Sequence, residues 1–313
     1  MTPPQRTKRD SVPLGQRDAN NKGERGGARN APRGPQKPAG PKPGPARDDG
    51  PQRIAKLLAR AGIASRREIE RMIEDGRIAL NGDVLKTPAT ILTDLPGVTV
   101  DGKAVAKPEP ARLFRFYKPP STITAAHDPR QRPTIYDRLP PGLPRVMPVG
   151  RLDFMTEGLL LLTNDGELKR QLELPSTGVV RQYRARAFGD VTQEQLEALS
   201  EGVEIEGIRY GSIDANLERR TGRNCWIEMS LTEGKNREVR RVLAWLGLQV
   251  SRLIRTSYGP LTLEGLDVGD VDEVQRELLF QFRATLKKPD KQWSHTLPKA
   301  EAQAEPQGAI IPE

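Results

Sequence analysis

The chain has 313 residues, a length that suits about two domains. Its 50 Lys and Arg outnumber 41 Asp and Glu, a formal charge of +9 that favours a polyanionic partner. One cysteine, Cys225, excludes a disulfide framework and a cysteine-based metal cluster, and two histidines, His127 and His295, leave little for a histidine-ligated metal. No apolar run is long enough to span a membrane, and the first residues lack the apolar stretch of a secretory signal. A cytoplasmic protein without membrane association is expected.

Residues 1–50 carry eleven Lys/Arg, five Asp/Glu, nine Pro and eight Gly, with no aromatic side chain. They cannot bury enough apolar surface to offset chain entropy, so they read as a disordered basic tail. Next, Ile54, Leu57, Leu58 and Ala61 repeat on one helical face, and Gly62 ends that helix. Ser65 and Glu68 have the spacing of a capping box for a second helix, whose inner face is Ile69, Met72 and Ile73. Asn81-Gly82 between Ile78–Leu80 and Val84 predicts a tight hairpin. Arg53, Lys56, Arg60, Arg66, Arg67 and Arg71 all lie off the apolar stripes and give this module a basic surface. A solvated charged face would look the same, but here the excess sits beside a basic tail. The string "SRREIERMIEDGRIALNGDVL" resembles the S-four RNA-binding domain, over about 51–105.

Residues 103–111 form a linker with two prolines. Leu113–Tyr117 alternates like a strand, and Lys118-Pro119-Pro120 breaks it. Residues 119–148 read as a long loop, and Gly158–Thr163 as a buried strand. Glu167–Leu174 fits a helix, Tyr183–Phe188 a strand and Thr192–Ser200 a helix. Strands follow near 203–208, 211–219 and 225–231. A helix over Asn236–Leu246, a strand at 249–254 and a short helix near 272–280 complete the series. Hairpin-spaced strands with few helices between them predict an antiparallel-rich α+β fold with a mixed sheet. Residues 284–313 have no period and read as a second disordered tail.

No Gly-rich phosphate loop of dinucleotide or Walker type is present, so nothing supports nucleotide chemistry. Two stretches stand out. In Pro148–Gly166, Asp153 sits in a loop feeding a buried strand, where a carboxylate is costly unless paired. Taken alone it reads better as a turn or capping aspartate, and it is the whole string that singles it out. In Glu233–Val242, helical periodicity puts Val239, Val242, Leu243 and Leu246 on the inner face. Arg237 and Arg241 then point outward, and Arg240 lies on the flank, best placed to meet a carboxylate.

"GRLDFMTEGLLLLTNDGEL", "RQYRARAFG" and "EGKNREVRR…VSRLIRTSYGPLTL" resemble the bacterial rRNA pseudouridine synthases of the RsuA type, nearer the large-subunit type B branch. The S-four domain in front is that family's usual arrangement. The resemblance implies a catalytic domain over 111–283 that isomerises a uridine of 23S rRNA during ribosome biogenesis, as a monomer acting on rRNA or a pre-ribosomal large-subunit particle. By motif match Asp153 is the catalytic aspartate and Arg151 fills the gap left by the flipped base. Tyr183 stacks on the uracil, Val239 is its apolar neighbour, and Arg240 pairs with Asp153. Tyr183 by its position alone could equally be a core aromatic. Arg53, Lys56, Arg66, Arg67 and Arg71 are the expected RNA contacts of the S-four domain. Arg181 stands where the family often has Lys. Isomerisation is neither redox nor group activation, so no cofactor and no metal are expected. Two alternatives share the scaffold: a 16S rRNA synthase, and a non-catalytic ribosome-assembly factor that only binds RNA. A pure binder, however, gains nothing from an acid in an RNA cleft.

Overall fold

A computed structural model describes residues 50–286. The tails expected over 1–50 and 284–313 lie outside these, apart from Gly50 and residues 284–286. The first module opens with helices α1 (Ile54–Arg60) and α2 (Arg66–Glu74). They pack on a four-stranded antiparallel sheet built from β1 (Ile78–Leu80), β2 (Asp83–Val84), β3 (Val98–Val100) and β4 (Lys103–Ala104) in the order β2-β1-β3-β4. Ile54, Leu58, Ile69, Ile73, Ile78 and Val98 form its core. The hairpin falls where the sequence puts it: Asn81 and Gly82 both have positive φ (54° and 97°), and Leu80 faces Asp83. The capping box is only half made. Ser65 accepts from the Glu68 amide at 3.2 Å, but the Glu68 carboxylate pairs with Arg71 instead.

The second module is a large mixed sheet. Its strands are β5 (Leu113–Lys118), β6 (Thr156–Thr163), β7 (Arg181–Phe188), β8 (Ile213–Thr221), β9 (Asn224–Leu231), β10 (Gln249–Tyr258) and β11 (Val271–Glu273), in the order β8-β9-β7-β10-β6-β5-β11. All these pairings are antiparallel except β6 with β10. The expected antiparallel-rich α+β architecture is therefore the one observed. Helices α3 (Gly166–Glu173), α4 (Gln193–Glu197), α5 (Glu238–Trp245) and α6 (Arg276–Thr285) cover the sheet. The last helix thus begins and ends later than the 272–280 expected, because 271–273 is taken into the sheet as β11.

Strand β6 explains its own sequence. Leu160 and Leu162 enter one apolar cluster, and Leu159 and Leu161 enter a second on the opposite face. With both faces covered, a continuous run replaces alternation. Each such leucine contributes about 1.5–3 kcal/mol. Gly158 has φ +104°, and a Cβ there would lie 2.3 Å from the Arg255 carbonyl oxygen. Only glycine lets β10 run this close beside the start of β6. The two modules meet through an ion pair between Arg60 of α1 and buried Asp165, the residue that caps α3 by accepting from Glu167 N and Leu168 N.

Candidate active site

Asp153 lies in the loop before β6, and that loop is held from two sides. Thr124 donates to the Leu152 carbonyl at 2.9 Å and accepts from its amide at 3.2 Å. From β5, the fully buried Lys118 ammonium donates to the carbonyls of Pro119 (3.0 Å), Asp153 (3.2 Å) and Thr156 (2.8 Å), one acceptor for each proton. The Thr156 amide also donates to the Asp153 carbonyl at 3.0 Å, closing the turn. Burial pushes Lys118 down to about 8, against the pull of the Asp153 and Glu157 carboxylates. The backbone of Asp153 is thus fixed, while its carboxylate keeps a third of its surface open to solvent.

The carboxylate pairs with Arg237, Nη1 to Oδ2 at 3.1 Å, and not with Arg240 as expected. The reason is where the helix starts. Helix α5 begins at Glu238, two residues later than the sequence suggests, and Arg237 is its N-cap in the left-handed region (φ 52°, ψ 31°). A step of 100° per residue does not apply to a residue outside the helix, so the outward direction inferred for Arg237 fails. Arg240 donates to the carbonyls of Val250 at 3.2 Å and Met155 at 3.5 Å, and its Nε is buried with no partner. It is half-buried, as its flank position implied. Burial and the neighbouring Arg237 charge lower its pKa, and the Asp153 charge opposes them. Asp153 therefore lies within electrostatic reach of two arginines and hydrogen-bonds one.

The loop leading into α5 is anchored by Arg181. This buried guanidinium donates to the carbonyls of Thr232 and Glu233 and to the Tyr258 hydroxyl. A lysine at this position could not serve so many acceptors with a rigid fork. Tyr183, also on β7, is 9 % exposed and shares its apolar cluster with Leu152 and Val239. Among the described residues its hydroxyl makes no hydrogen bond. Arg151 is exposed beside the loop.

A family model described as RNA pseudouridylate synthase matches residues 112–245, and one for the S4 domain matches 52–95. An uncharacterised RNA pseudouridine synthase of Rickettsia bellii is 44% identical over 227 residues, covering 72% of this chain and 98% of that protein. The chain belongs to the RNA pseudouridine synthases. The ribosomal large subunit pseudouridine synthase B of Escherichia coli O6:H1 is 42% identical over 231 residues, covering 71% of this synthase and 79% of the relative. A crystal structure of a pseudouridylate synthase shares the fold, with TM-score 0.52 at 24% identity over 73% of this chain and 98% of the other.

Within this synthase, Arg53, Arg66, Arg67 and Arg71 are exposed and Lys56 is half-buried, all on the S4 module. None of them hydrogen-bonds or ion-pairs with the Asp153 loop. Sequence reasoning passed over Lys118 and Arg237 as partners of that loop, and over buried Glu157. The Arg252 guanidinium grips Glu157 at 2.6 and 3.1 Å. The available signal for Lys118 was a lysine closing an alternating strand just before Pro119-Pro120. Among the described residues, no group of three His, Cys, Asp or Glu side chains is placed to hold a metal ion, and no helix is long and apolar enough to cross a membrane.

Proposed function

We propose that this synthase isomerises one uridine of 23S rRNA, in the large-subunit precursor, with Asp153 as the catalytic carboxylate. The observation that carries the reading is Asp153 itself. Its backbone is clamped by Lys118, while its carboxylate stays partly open and faces cations. The large-subunit synthase of Escherichia coli, similar over most of this chain, supports the choice of RNA. The reaction breaks the C1′–N1 bond, turns the uracil and joins C5 to C1′; the C5 hydrogen leaves as a proton and the freed N1 takes one up. The product is an isomer, so the balance requires no redox partner. A carboxylate near C1′ serves as nucleophile, or removes and returns the 2′ hydrogen.

The target base must leave its stack at a cost of a few kcal/mol. Tyr183 stacking on the uracil, with Val239 beside it, and exposed Arg151 entering the vacated gap offset that cost. Arg240, half-buried next to the loop, holds the carboxylate once substrate is present. Arg53, Lys56, Arg66, Arg67 and Arg71 give the S4 module its phosphate contacts. The enzyme's substrate implies the cytoplasm, where ribosomes assemble. A pseudouridine map of rRNA from a strain lacking the gene tests the reading. Loss of one 23S position supports it. Loss of a 16S position assigns the small subunit, and an unchanged map leaves only an RNA-binding role.

A further inference from the structure

The outer face of α5 carries a second feature that catalysis at Asp153 does not use. Trp245, the last residue of α5, is 53 % exposed, whereas Trp226 is half-buried. Arg241 lies one turn before Trp245 on the same face. The Arg241 amide in turn bonds the Arg237 carbonyl at 2.9 Å, so Arg237 sits one turn earlier still. The apolar side of the helix, Val239, Val242 and Leu243, is buried in the sheet module, while Arg241 is half-buried and Trp245 exposed. Among the described residues, the Arg241 guanidinium has no ion-pair or hydrogen-bond partner. The acid nearest in the helix, Glu238, is buried and turned to the Lys235 amide at 2.8 Å. The result is an unneutralised cation and a bare indole on one helix face, about 6 Å apart along the axis at 1.5 Å per residue. The residue that caps this helix, Arg237, pairs with the Asp153 carboxylate.

We propose that Arg241 and Trp245 form an RNA subsite flanking the active site, in which Arg241 takes a phosphate and Trp245 stacks on an unpaired base a few nucleotides from the target uridine. This deepens the reading given above and rests on it. An indole offers a flat apolar surface to any base, and a guanidinium with no acid beside it suits phosphate. The stack fixes the distance between a second base and the flipped uridine, so the subsite contributes to which uridine is chosen.

The test is single-turnover pseudouridine formation on transcribed 23S rRNA with Trp245→Ala, Trp245→Phe and Arg241→Met. Trp245→Ala is expected to raise the half-saturating RNA concentration by about tenfold, with Trp245→Phe recovering most of the loss, and the deficit falling on half-saturation rather than on the saturated rate. Binding is read separately, as RNA quenching of Trp245 fluorescence in a Trp226→Phe, Trp293→Phe background. Quenching together with the graded series supports the subsite. A Trp245→Ala enzyme within twofold of wild type, or no quenching, overturns it and makes the exposed indole a contact for a protein instead. If wild-type enzyme modifies no uridine in 23S rRNA, the substrate reading fails on its own. The quenching assay with the RNA it does modify then still decides the subsite.

Discussion

The guanidinium of Arg237 meets the carboxylate of Asp153 at 3.1 Å across 84 residues of sequence, from a backbone in the left-handed region. Both side chains are partly open to solvent. The pair is therefore a surface ion pair, worth roughly 0.2–1 kcal/mol, and not a buried one. It orients the carboxylate at little cost to the entry of RNA.

Asp153→Asn is expected to reduce tritium release from 5-labelled uridine in rRNA to background, while filter binding of the RNA persists. Asparagine keeps the shape and lacks both nucleophilic and basic character. Stability should change by no more than about 1 kcal/mol, because the one ion pair that is removed is exposed. Activity within tenfold of wild type would remove Asp153 from the chemistry.

Two double-mutant cycles separate the arginines. Asp153→Asn with Arg237→Met should show a coupling of about 0.5 kcal/mol in denaturant unfolding without RNA. Asp153→Asn with Arg240→Met should show a smaller coupling, since Arg240 spends its donors on the Val250 and Met155 carbonyls and meets the carboxylate only through its charge. The reverse pattern would mean that Arg240 holds the carboxylate before RNA arrives.

Lys118 gives a pH signature. Its folded pKa of about 8 lies below the ordinary 10.5, so between those values the unfolded chain binds more protons than the folded one. Stability must then rise with pH across that window, the burial cost being fully present below about 8 and gone above 10.5. Lys118→Met lacks this slope. The stability difference, wild type minus Lys118→Met, should therefore grow from about pH 8 to about pH 10. The variant also takes a donor from the carbonyls of Pro119, Asp153 and Thr156, of which Asp153 keeps the Thr156 amide, and should be less stable near neutral pH by roughly 1–3 kcal/mol. A flat difference would show that Lys118 titrates normally.

On the S4 module, Arg66→Ala with Arg67→Ala should weaken RNA binding and flatten its dependence on salt, by about 0.7–0.9 in log–log slope for each phosphate no longer neutralised. The modified uridine should stay the same, because phosphate contacts position the protein and do not read sequence. An unchanged slope would take these two arginines off the RNA.

The local features of this chain follow from its sequence. Helix periodicity at Ile54–Ala61, the Asn81-Gly82 turn and the apolar run ending at Thr163 each depend on neighbours a few residues apart, and each appears as expected. The same holds for the antiparallel-rich sheet, which hairpin spacing implies. What surrounds that carboxylate was decided only by tertiary structure. Asp153 meets Arg237 because one residue at the mouth of α5 turns left-handed. The helical rule holds inside a helix and gives no direction for the residue that caps it. Lys118 lies under the Asp153 loop because β5 and β6 pair with Lys118 opposite Gly158. A lysine at the end of a strand carries no local mark of burial. Its place is set by register, and register is a relation between segments far apart in the chain.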